Sequence, residues 1–295
     1  MNGDGKVDLI CTNYGDNTVL VWTNKGNATF ATAGNYPTGA NPIAVAAGDV
    51  NGDGWTDVIC ANSGDSTLSV LTNDGHGGLV TATNYAVSGI PYSVIAADVN
   101  GDGKVDIICA NYSSFASTLA VFTNDGSGGF ALASTPEVGV LPRSVIAADV
   151  NGDGNLDLIC ANYNDNTLSV LINVGNGNFV TAGTYPVGGR PYSVTAADVN
   201  GDGRPDLISA NSASNTLSVL SNTSAFPPPK LIFKRSGTGI IVSWPSSWWS
   251  WVLQQNTNLA TTNWSASSGI AENGTNKSLA IASPAGNLFL RLSHP

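Results

Sequence analysis

Short apolar runs separated by polar clusters make up most of this chain. The runs are mostly five to eight residues long, are rich in Val, Ile, Leu and Thr, and end at Gly, Asn or Asp. Examples lie within PYSVIAADV (91–99), DIICANY (106–112) and STLAVFTN (117–124). Such runs are typical of β-strands, and no ten-residue window carries the apolar stripe of an amphipathic helix. The pattern predicts an all-β protein.

The strand pattern recurs with a period of about fifty residues. Similar acidic segments begin at Asp49, Asp98, Asp149 and Asp198, and the chain itself starts inside a fifth copy, MNGDGKVD (1–8). Each unit has an apolar run before the acidic segment, then two further runs and a looser segment after a Gly-rich turn. Self-similarity at such a period is the signature of repeat folds. We expect four strands per unit.

Many predicted strands are apolar on both faces, as at Val94, Ile95, Ala96 and Ala97. A sheet with one face in water would alternate apolar and polar residues. Each sheet should therefore lie between two others, which predicts a β-propeller of about five four-stranded blades. A linear β-solenoid is the alternative. The first blade lacks its innermost strand and the fifth its outer segment, so the ring is either completed by other strands or part of a larger array.

The acidic segments have the oxygen spacing of a calcium-binding loop. Asp occupies positions 1, 5 and 9, Asn position 3 and Gly position 6. Four side chains and the carbonyl at position 7 can then converge on one ion, although an EF-hand would add Glu at position 12 and flanking helices. We number the segments loop 1 (1–8), loop 2 (49–57), loop 3 (98–106), loop 4 (149–157) and loop 5 (198–206). The predicted ligands are Asn2, Asp4, Lys6 and Asp8; Asp49, Asn51, Asp53, Trp55 and Asp57; Asp98, Asn100, Asp102, Lys104 and Asp106; Asp149, Asn151, Asp153, Asn155 and Asp157; and Asp198, Asn200, Asp202, Arg204 and Asp206.

Charge favours a metal over the alternative, a set of Asx-turns that needs no ion. The five loops hold fourteen of the 21 acidic residues, so each loop repels itself when no cation is bound. We predict four to five Ca²⁺ ions, and five would cancel the formal net charge of −10. Loop 1 lacks the leading Asp and should form a weak or distorted site. The same charge makes nucleic acid and anionic membranes poor partners.

The repeated motif has a familiar counterpart. D-x-N-G-D-G-x-x-D followed by D-[LIV]-[IV]-x-A-N resembles the FG-GAP/VCBS repeats of the integrin α-subunit propeller and of many secreted bacterial proteins. The resemblance covers about residues 1–225. It implies a β-propeller with Ca²⁺ in the loop that joins the first two strands of each blade. Such propellers commonly have seven blades, whereas five loops are present here.

The cysteines Cys11, Cys60, Cys109 and Cys160 occupy one position of the repeat, and Ser209 takes the fifth. Equivalent positions in neighbouring blades should lie about 10 Å apart, a sheet-packing distance. A disulfide needs Cα atoms within about 7 Å. We therefore predict free thiols that behave as small buried hydrophobic side chains.

The periodicity stops after Asn222, and the composition changes. Residues 1–225 carry 6 basic and 20 acidic side chains, whereas residues 226–295 carry 5 basic and 1 acidic. PPP (227–229) should be a stiff spacer. The alternating runs that follow predict a small β-sandwich, similar to fibronectin type III or to C-terminal modules of secreted bacterial proteins.

The C-terminal segment also holds five of the seven Trp residues. Trp248 and Trp249 are candidates for a sugar-stacking platform, with an interaction or anchoring module as the alternative. The incomplete first and fifth blades leave strand edges that need a cover. A strand around Leu231–Phe233 or a strand of a neighbouring chain could supply it, and the second choice would permit self-assembly.

Residues suited to catalysis are few. His76 lies in a turn, His294 is the penultimate residue, and Glu137 and Glu272 are the only glutamates. A hydrolase with two catalytic carboxylates would have to use predicted calcium ligands. A polysaccharide lyase, which works with Tyr and His or Arg, stays open.

The eight Tyr residues lie in the loop after the second strand or in the segment leading to the next blade. Hairpin geometry places both regions, with two Arg residues, on the face opposite the acidic loops. Aromatic rings with planar donors suit glycan or protein recognition, whereas the alternative role of these Tyr is to wedge between blades. The predicted ligand-binding residues are Tyr92, Tyr112, Arg143, Tyr163, Arg190 and Tyr192.

These features predict a secreted, calcium-stabilised propeller for adhesion or recognition, with a glycan or an extracellular protein as partner. The alternative is a carbohydrate-active enzyme such as a polysaccharide lyase. No apolar stretch reaches the roughly 18 residues of a membrane span. No signal peptide is recognisable, but a chain that begins inside a repeat gives this absence little weight. We expect an extracellular or cell-surface location.

Overall fold

The structure is a computed structural model of the 295-residue chain. It describes residues 1–114, 117–224, 231–237, 239–245, 252–257, 263–273, 276–282 and 288–293. Within these ranges the regular elements are β-strands and no helix is present, so the all-β prediction is confirmed. In the same ranges, nothing forms a helix that could cross a membrane.

Five antiparallel sheets follow one another along residues 9–220. In sheets 2 to 4 the strands pair in sequence order, and the acidic loop joins the first strand to the second. Sheets 1 and 5 have three strands each. The strands are β1 (Leu9–Asn13), β2 (Thr18–Gly26) and β3 (Thr29–Pro37) in sheet 1; β4 (Pro42–Gly48), β5 (Asp57–Asn62), β6 (Thr67–Asn73) and β7 (Leu79–Ala86) in sheet 2; β8 (Ile90–Ala97), β9 (Asp106–Tyr112), β10 (Thr118–Asn124) and β11 (Phe130–Ser134) in sheet 3; β12 (Pro142–Ala148), β13 (Asp157–Asn162), β14 (Thr167–Gly175) and β15 (Asn178–Pro186) in sheet 4; and β16 (Pro191–Ala197), β17 (Asp206–Asn211) and β18 (Thr216–Leu220) in sheet 5.

In four of the five units, the polar loop after the second strand makes its turn through a left-handed residue. These residues are Asn17 (φ 56°), Ser66 (φ 55°), Asn166 (φ 57°) and Asn215 (φ 54°). Asn adopts this conformation more readily than most residues because its short polar side chain bonds locally. The recurring Asn therefore marks the turn in the sequence.

The core consists of apolar layers between consecutive sheets. One layer joins Leu68 and Val70 of sheet 2 to Ile107 and Cys109 of sheet 3, and all four side chains are fully buried. Equivalent layers lie between sheets 1 and 2 and between sheets 3 and 4. Sheets 2 and 3 thus bury both faces, as blades of a propeller do.

All four cysteines are unpaired, which confirms the prediction of free thiols. Cys60, Cys109 and Cys160 are buried in the layers between sheets, and burial raises the pKa of the Cys60 thiol to about 12. Cys11 is exposed, so the prediction of burial is wrong at that position. The reason is that Ile10 of β1 packs toward sheet 2, so the adjacent Cys11 lies on the opposite face of sheet 1, against which no described sheet packs.

The chain divides into two compact units. One contains residues 1–147, 155–196 and 207–220, and the other contains residues 148–154, 197–206 and 221–295. The predicted domain boundary at residue 225 lies outside the described residues. So do the PPP segment and the proposed platform of Trp248 and Trp249.

The described residues of the C-terminal segment form two further sheets, in which Val242, Trp244 and Leu253 are fully buried. Its strands are β19 (Ile232–Ser236), β20 (Gly239–Pro245), β21 (Val252–Asn256), β22 (Ser265–Ala266), β23 (Ala271–Glu272), β24 (Asn276–Ile281) and β25 (Phe289–Ser293). The strand orders are β19-β20-β24-β23 and β22-β21-β25. Because β19 pairs with β20, the segment Leu231–Phe233 does not join sheet 5, and its predicted covering role is wrong for the described residues.

Candidate functional site

Each acidic loop is folded by hydrogen bonds from its own backbone to its first aspartate. In loop 2, Asp49 Oδ1 accepts from the backbone N of Gly52 (2.8 Å), and Asp49 Oδ2 accepts from that of Gly54 (2.9 Å). Gly52 and Gly54 have φ of 76° and 87°, values that residues with a Cβ rarely adopt. Two glycines at these positions therefore let the chain wrap around one carboxylate.

The other polar positions of loop 2 hold the turn in the same way. Asn51 Oδ1 accepts from Asp53 N (3.0 Å), and Asp53 Oδ1 accepts from Trp55 N (2.8 Å). The Trp55 ring lies against the backbone of loop 1, since a Cβ added at Gly3 would be 2.5 Å from Trp55 Cζ3. Loops 1 and 2 are consequently neighbours.

The remaining loops repeat this arrangement with small differences. Asp98, Asp149 and Asp198 each accept from two or three backbone N–H groups of their own loop. Burial acts to raise the pKa of Asp198, but the N–H donors of Gly203 and its loop neighbours outweigh it and hold that pKa below its usual value. In loop 1, which has no leading Asp, Asp4 accepts from Lys6 N (3.0 Å).

The aspartate at position 9 is buried in every loop that starts with Asp. Asp57 is fully buried and accepts from the backbone N of Val50 (2.9 Å) and of Asn73 (2.8 Å). Burial raises its pKa, and the charges of Asp53 and Asp49 raise it further. Asp106 is buried with a raised pKa for the same reasons, its loop neighbours being Asp98 and Asp102. Three carboxylates of one loop thus interact electrostatically.

Asparagines near the end of each third strand connect neighbouring loops. Asn124 Nδ2 donates to Val50 O of loop 2 (2.8 Å) and to Val105 O of loop 3 (2.8 Å), and Asn124 N donates to Asp106 (2.9 Å). Three other residues do the same: Asn73 donates to Met1 O and Thr56 O, Asn173 to Val99 O and Leu156 O, and Asn222 to Val150 O and Pro205 O. We call these four the interloop asparagines. The sequence analysis missed them, although an Asn recurs 16 or 18 residues after each position-9 Asp.

The six predicted ligand-binding residues come together in one cluster. Arg143 Cζ lies 3.7 Å from the ring centre of Tyr192, 4.6 Å from that of Tyr92 and 5.0 Å from that of Tyr163. The rings of Tyr92 and Tyr112 are 4.6 Å apart, and Arg190 Cζ is 5.6 Å from the Tyr163 ring. We call Tyr92, Tyr112, Arg143, Tyr163, Arg190 and Tyr192 the tyrosine–arginine cluster.

The cluster lies at the opposite end of sheet 3 from loop 3. Along β8 and β9, Ile90 pairs with Tyr112 at one end, and Ala97 pairs with Asp106 at the other. Tyr36 and Tyr85 serve a different purpose, since their hydroxyls contact Gly77 O (3.1 Å) and Gly128 O (3.4 Å) in the following sheet. These two match the alternative role of wedges between sheets.

Comparison with protein families decides what the repeats are. The chain matches the FG-GAP-like repeat in four overlapping windows, residues 1–60, 49–109, 98–160 and 149–209. This protein belongs to the FG-GAP repeat family. FG-GAP repeats often bind Ca²⁺, and the buried aspartates of loops 2 to 5 recur at one position of the repeat. No curated protein matches the chain.

Solved structures with several β-sheets are similar to this FG-GAP chain in fold. A protein of unknown function from Desulfotomaculum acetoxidans has a TM-score of 0.52 at 13% identity, covering 98% of this chain and 86% of its own. A Lactobacillus plantarum protein has a TM-score of 0.52 at 14% identity, covering 99% and 86%. A putative 6-phosphogluconolactonase from Bacteroides uniformis has a TM-score of 0.51 at 13% identity, covering 96% and 84%. At such identities these similarities concern the fold alone, and the sheets are consistent with a propeller of FG-GAP blades.

The donor chemistry of the FG-GAP loops fits a hard cation. Among the described residues no three His, Cys, Asp or Glu side chains form a ready-made metal cage, and the loop carboxylates accept backbone hydrogen bonds instead. Every polar side chain at positions 1, 3, 5 and 9 nevertheless offers oxygen. A carboxylate has about four lone-pair sites, more than the two or three backbone hydrogen bonds that each position-1 Asp accepts. Oxygen ligands and a flexible geometry are what Ca²⁺ requires.

Basic side chains at position 7 offset little of the negative charge of the loops. Lys6, Lys104 and Arg204 lie 3.3 to 3.8 Å from the position-5 aspartate of their own loops. These pairs are solvent-exposed and contribute little. Among the described residues no basic side chain forms an ion pair with Asp57 or Asp106.

Proposed function

We propose that the five FG-GAP loops bind four to five Ca²⁺ ions per chain and that these ions stabilise the repeats. The observation that supports this most is the buried aspartate at position 9. Asp57 and Asp106 have raised pKa values because burial and two neighbouring carboxylates oppose their ionisation. A bound divalent cation would offset both effects. Positions 1, 3, 5 and 9, with the carbonyl at position 7, would hold the ion.

Two matched substitutions in sheet 3 test the ligand assignment. Asp102 and Asp125 are both exposed and both accept a hydrogen bond from the backbone N two residues later, at 2.9 and 2.8 Å. Asp102→Asn should lower the calcium stoichiometry by one ion, because it removes a position-5 carboxylate. Asp125→Asn, outside the loops, should leave the stoichiometry unchanged. Equilibrium dialysis measures both, and an unchanged value for Asp102→Asn would contradict the assignment.

We further propose that the protein acts outside the cell or at its surface as an adhesion or recognition module for a glycan or an extracellular protein. Extracellular calcium modules bind with dissociation constants of about 10⁻⁴–10⁻³ M, which suits a calcium-rich exterior. The tyrosine–arginine cluster supports a binding role, since Tyr and Arg dominate recognition surfaces. A glycan array and a panel of extracellular proteins, each probed with and without calcium, test the proposal. Calcium-dependent binding supports it, and no binding to either contradicts it.

The same cluster keeps a polysaccharide lyase as the second candidate. In such an enzyme Arg143 would neutralise a uronate carboxylate and one Tyr, as the phenolate, would take the C5 proton. The C4–O bond breaks, a C4=C5 double bond forms, and a second Tyr hydroxyl would protonate the departing oxygen. His76 lies in a turn near Asp74, and His294 lies outside the described residues. Ultraviolet absorbance of unsaturated uronate products after incubation with polygalacturonate distinguishes the two functions.

Exposed apolar faces at both ends of the sheet series support self-assembly. Leu217 of β18 is 70% exposed, whereas its equivalents Leu68, Leu119 and Leu168 are fully buried. At the other end, Leu9 is 46% exposed at a position equivalent to the buried Val58. We propose that the Leu217 face of one chain packs on the Leu9 face of another, a heterologous contact.

Light scattering over a concentration series tests this assembly. The unmodified chain should associate as its concentration rises, and Leu217→Glu should stay monomeric because a charge is placed in the contact. Val174→Glu, at a residue that is also exposed but outside the two faces, is the matched control and should associate normally. A chain that is monomeric throughout, or equal association of all three proteins, would rule the contact out.

A further inference from the structure

The Arg143 guanidinium is a partly buried cation that lacks an acidic partner. Its Nε is buried and has no hydrogen-bond partner. Among the described residues no carboxylate forms an ion pair with it. The rings of Tyr192, Tyr92 and Tyr163 attract the charge through their faces. Ring faces are poor substitutes for oxygen acceptors, so the planar N–H donors of Arg143 are left for a ligand.

A shallow cavity, open to solvent, shares one wall residue with the cluster. It has a volume of about 400 Å³ and is lined in part by Tyr192. The other polar groups in its wall come from Asn211, Ser212, Asn215 and Thr216. Leu217 also lines it, so a chain whose Leu217 face is covered by another chain could not use this cavity. Its size falls in the range of about 300–1,000 Å³ that is usual for small-molecule sites. Tyr192 is therefore shared by the cavity and by the stack on Arg143.

We propose that the tyrosine–arginine cluster recognises a uronic acid unit of an acidic glycan, and that Arg143 is the group that binds the carboxylate. This inference rests on the recognition function proposed above. A guanidinium matches a carboxylate through two parallel hydrogen bonds. The amide and hydroxyl groups of Asn211, Ser212, Asn215 and Thr216 then meet the hydroxyls of an adjoining sugar in the cavity.

The surroundings of Arg143 favour a sugar acid over an acidic peptide. The exposed ring of Tyr192 offers a flat apolar surface, which suits the C–H face of a pyranose ring. A peptide carboxylate would pair with Arg143 equally well, but it would bring few hydroxyls to the polar cavity wall. The carboxylate is common to both ligands, so the experiment needs a peptide arm.

Calorimetric titration with oligogalacturonate is the test. The buffer contains calcium, because bound ions would offset the formal net charge of −10 that otherwise repels a polyanion. The unmodified chain should bind oligogalacturonate, and binding should weaken when its carboxylates are methyl-esterified and when salt screens the charge. Arg143→Gln should weaken binding about 10-fold to 100-fold, because a charge-assisted bidentate contact is lost. Arg143→Lys should be intermediate, since it keeps the charge but not the planar fork.

Two controls separate recognition from folding. Arg291→Gln removes the same charge from β25, where Arg291 stacks on Trp264, and should bind as the unmodified chain does. Tyr192→Ala changes an exposed ring and should weaken binding even if Arg143→Gln misfolds. Melting curves of each variant identify any that fail to fold.

The outcomes distinguish this inference from the recognition function itself. Equal affinity for free and esterified oligogalacturonate, or no effect of Arg143→Gln in a folded protein, would overturn the inference while recognition stands. Binding of poly-glutamate but not of oligogalacturonate would replace the glycan with an acidic peptide. Failure to bind any glycan or extracellular protein would overturn both proposals.

Discussion

Calcium at about 10 mM should stabilise the metal-free chain by about 1.4–2.7 kcal/mol for each loop that binds an ion. This range follows from mass action with dissociation constants of about 10⁻³–10⁻⁴ M. The contributions of four or five such loops would add up to a large increase in the free energy of unfolding. The physical reason is that each ion binds a cluster of carboxylates that repel one another when the chain is folded without metal. Calorimetric melting with EDTA and then with excess calcium measures the effect.

Magnesium at the same concentration provides the control for this experiment. Mg²⁺ demands near-octahedral geometry and gives up its water reluctantly, so it should raise the melting temperature much less than Ca²⁺. Identical melting temperatures in EDTA and in calcium would show that the loops are metal-independent Asx-turns. An equal effect of both cations would indicate general charge screening instead of specific sites.

Asn124→Ala should lower the free energy of unfolding by about 2–4 kcal/mol, because it leaves one buried and one partly buried carbonyl group without their donor. The carbonyls belong to Val50 and Val105, in two successive loops. The substitution also removes the acceptor for Gly126 N (2.7 Å). Urea denaturation measures the loss, and calcium titration should show weaker binding because both loops lose a constraint.

An exposed asparagine supplies the matched control. Asn178 donates two long side-chain hydrogen bonds, at 3.4 and 3.3 Å, within its own turn. Asn178→Ala should therefore change stability by less than about 0.5 kcal/mol, as is usual for surface substitutions. Similar losses for Asn124→Ala and Asn178→Ala would show that the bridge between loops contributes nothing special.

The sheets and loops could be predicted because their signals are local. Strand length, apolar faces and the spacing of Asp49, Asn51, Asp53 and Asp57 all lie within a few residues of one another. Turn chemistry is equally local, since Gly52 and its counterparts take positive φ wherever the motif occurs. The sequence also predicts that the first and fifth units each lack a strand, and sheets 1 and 5 have three strands each.

Features that depend on packing between different sheets were harder to predict. The interloop asparagines act across two repeats, and a sequence pattern does not say that Asn124 reaches Val50. Exposure of Cys11 depends on its position on the face of sheet 1 that no described sheet covers. The division of Tyr residues between wedges such as Tyr85 and the tyrosine–arginine cluster is also a matter of packing between sheets.

The interloop asparagines constrain the order in which the repeats can fold during synthesis. Each bridging hydrogen bond joins residues 72 or 74 positions apart, so the carbonyl is synthesised about one and a half repeats before the amide that reaches it. Chains are synthesised at about 5–20 residues per second. The carbonyls of loops 1 to 4 are therefore made several seconds before the amide that reaches them. During synthesis, an interloop asparagine can form its hydrogen bond only to a loop that has already been made. The sheets should therefore fold in order from the N-terminus. The most recently synthesised loop should always be the one that still lacks its interloop hydrogen bond.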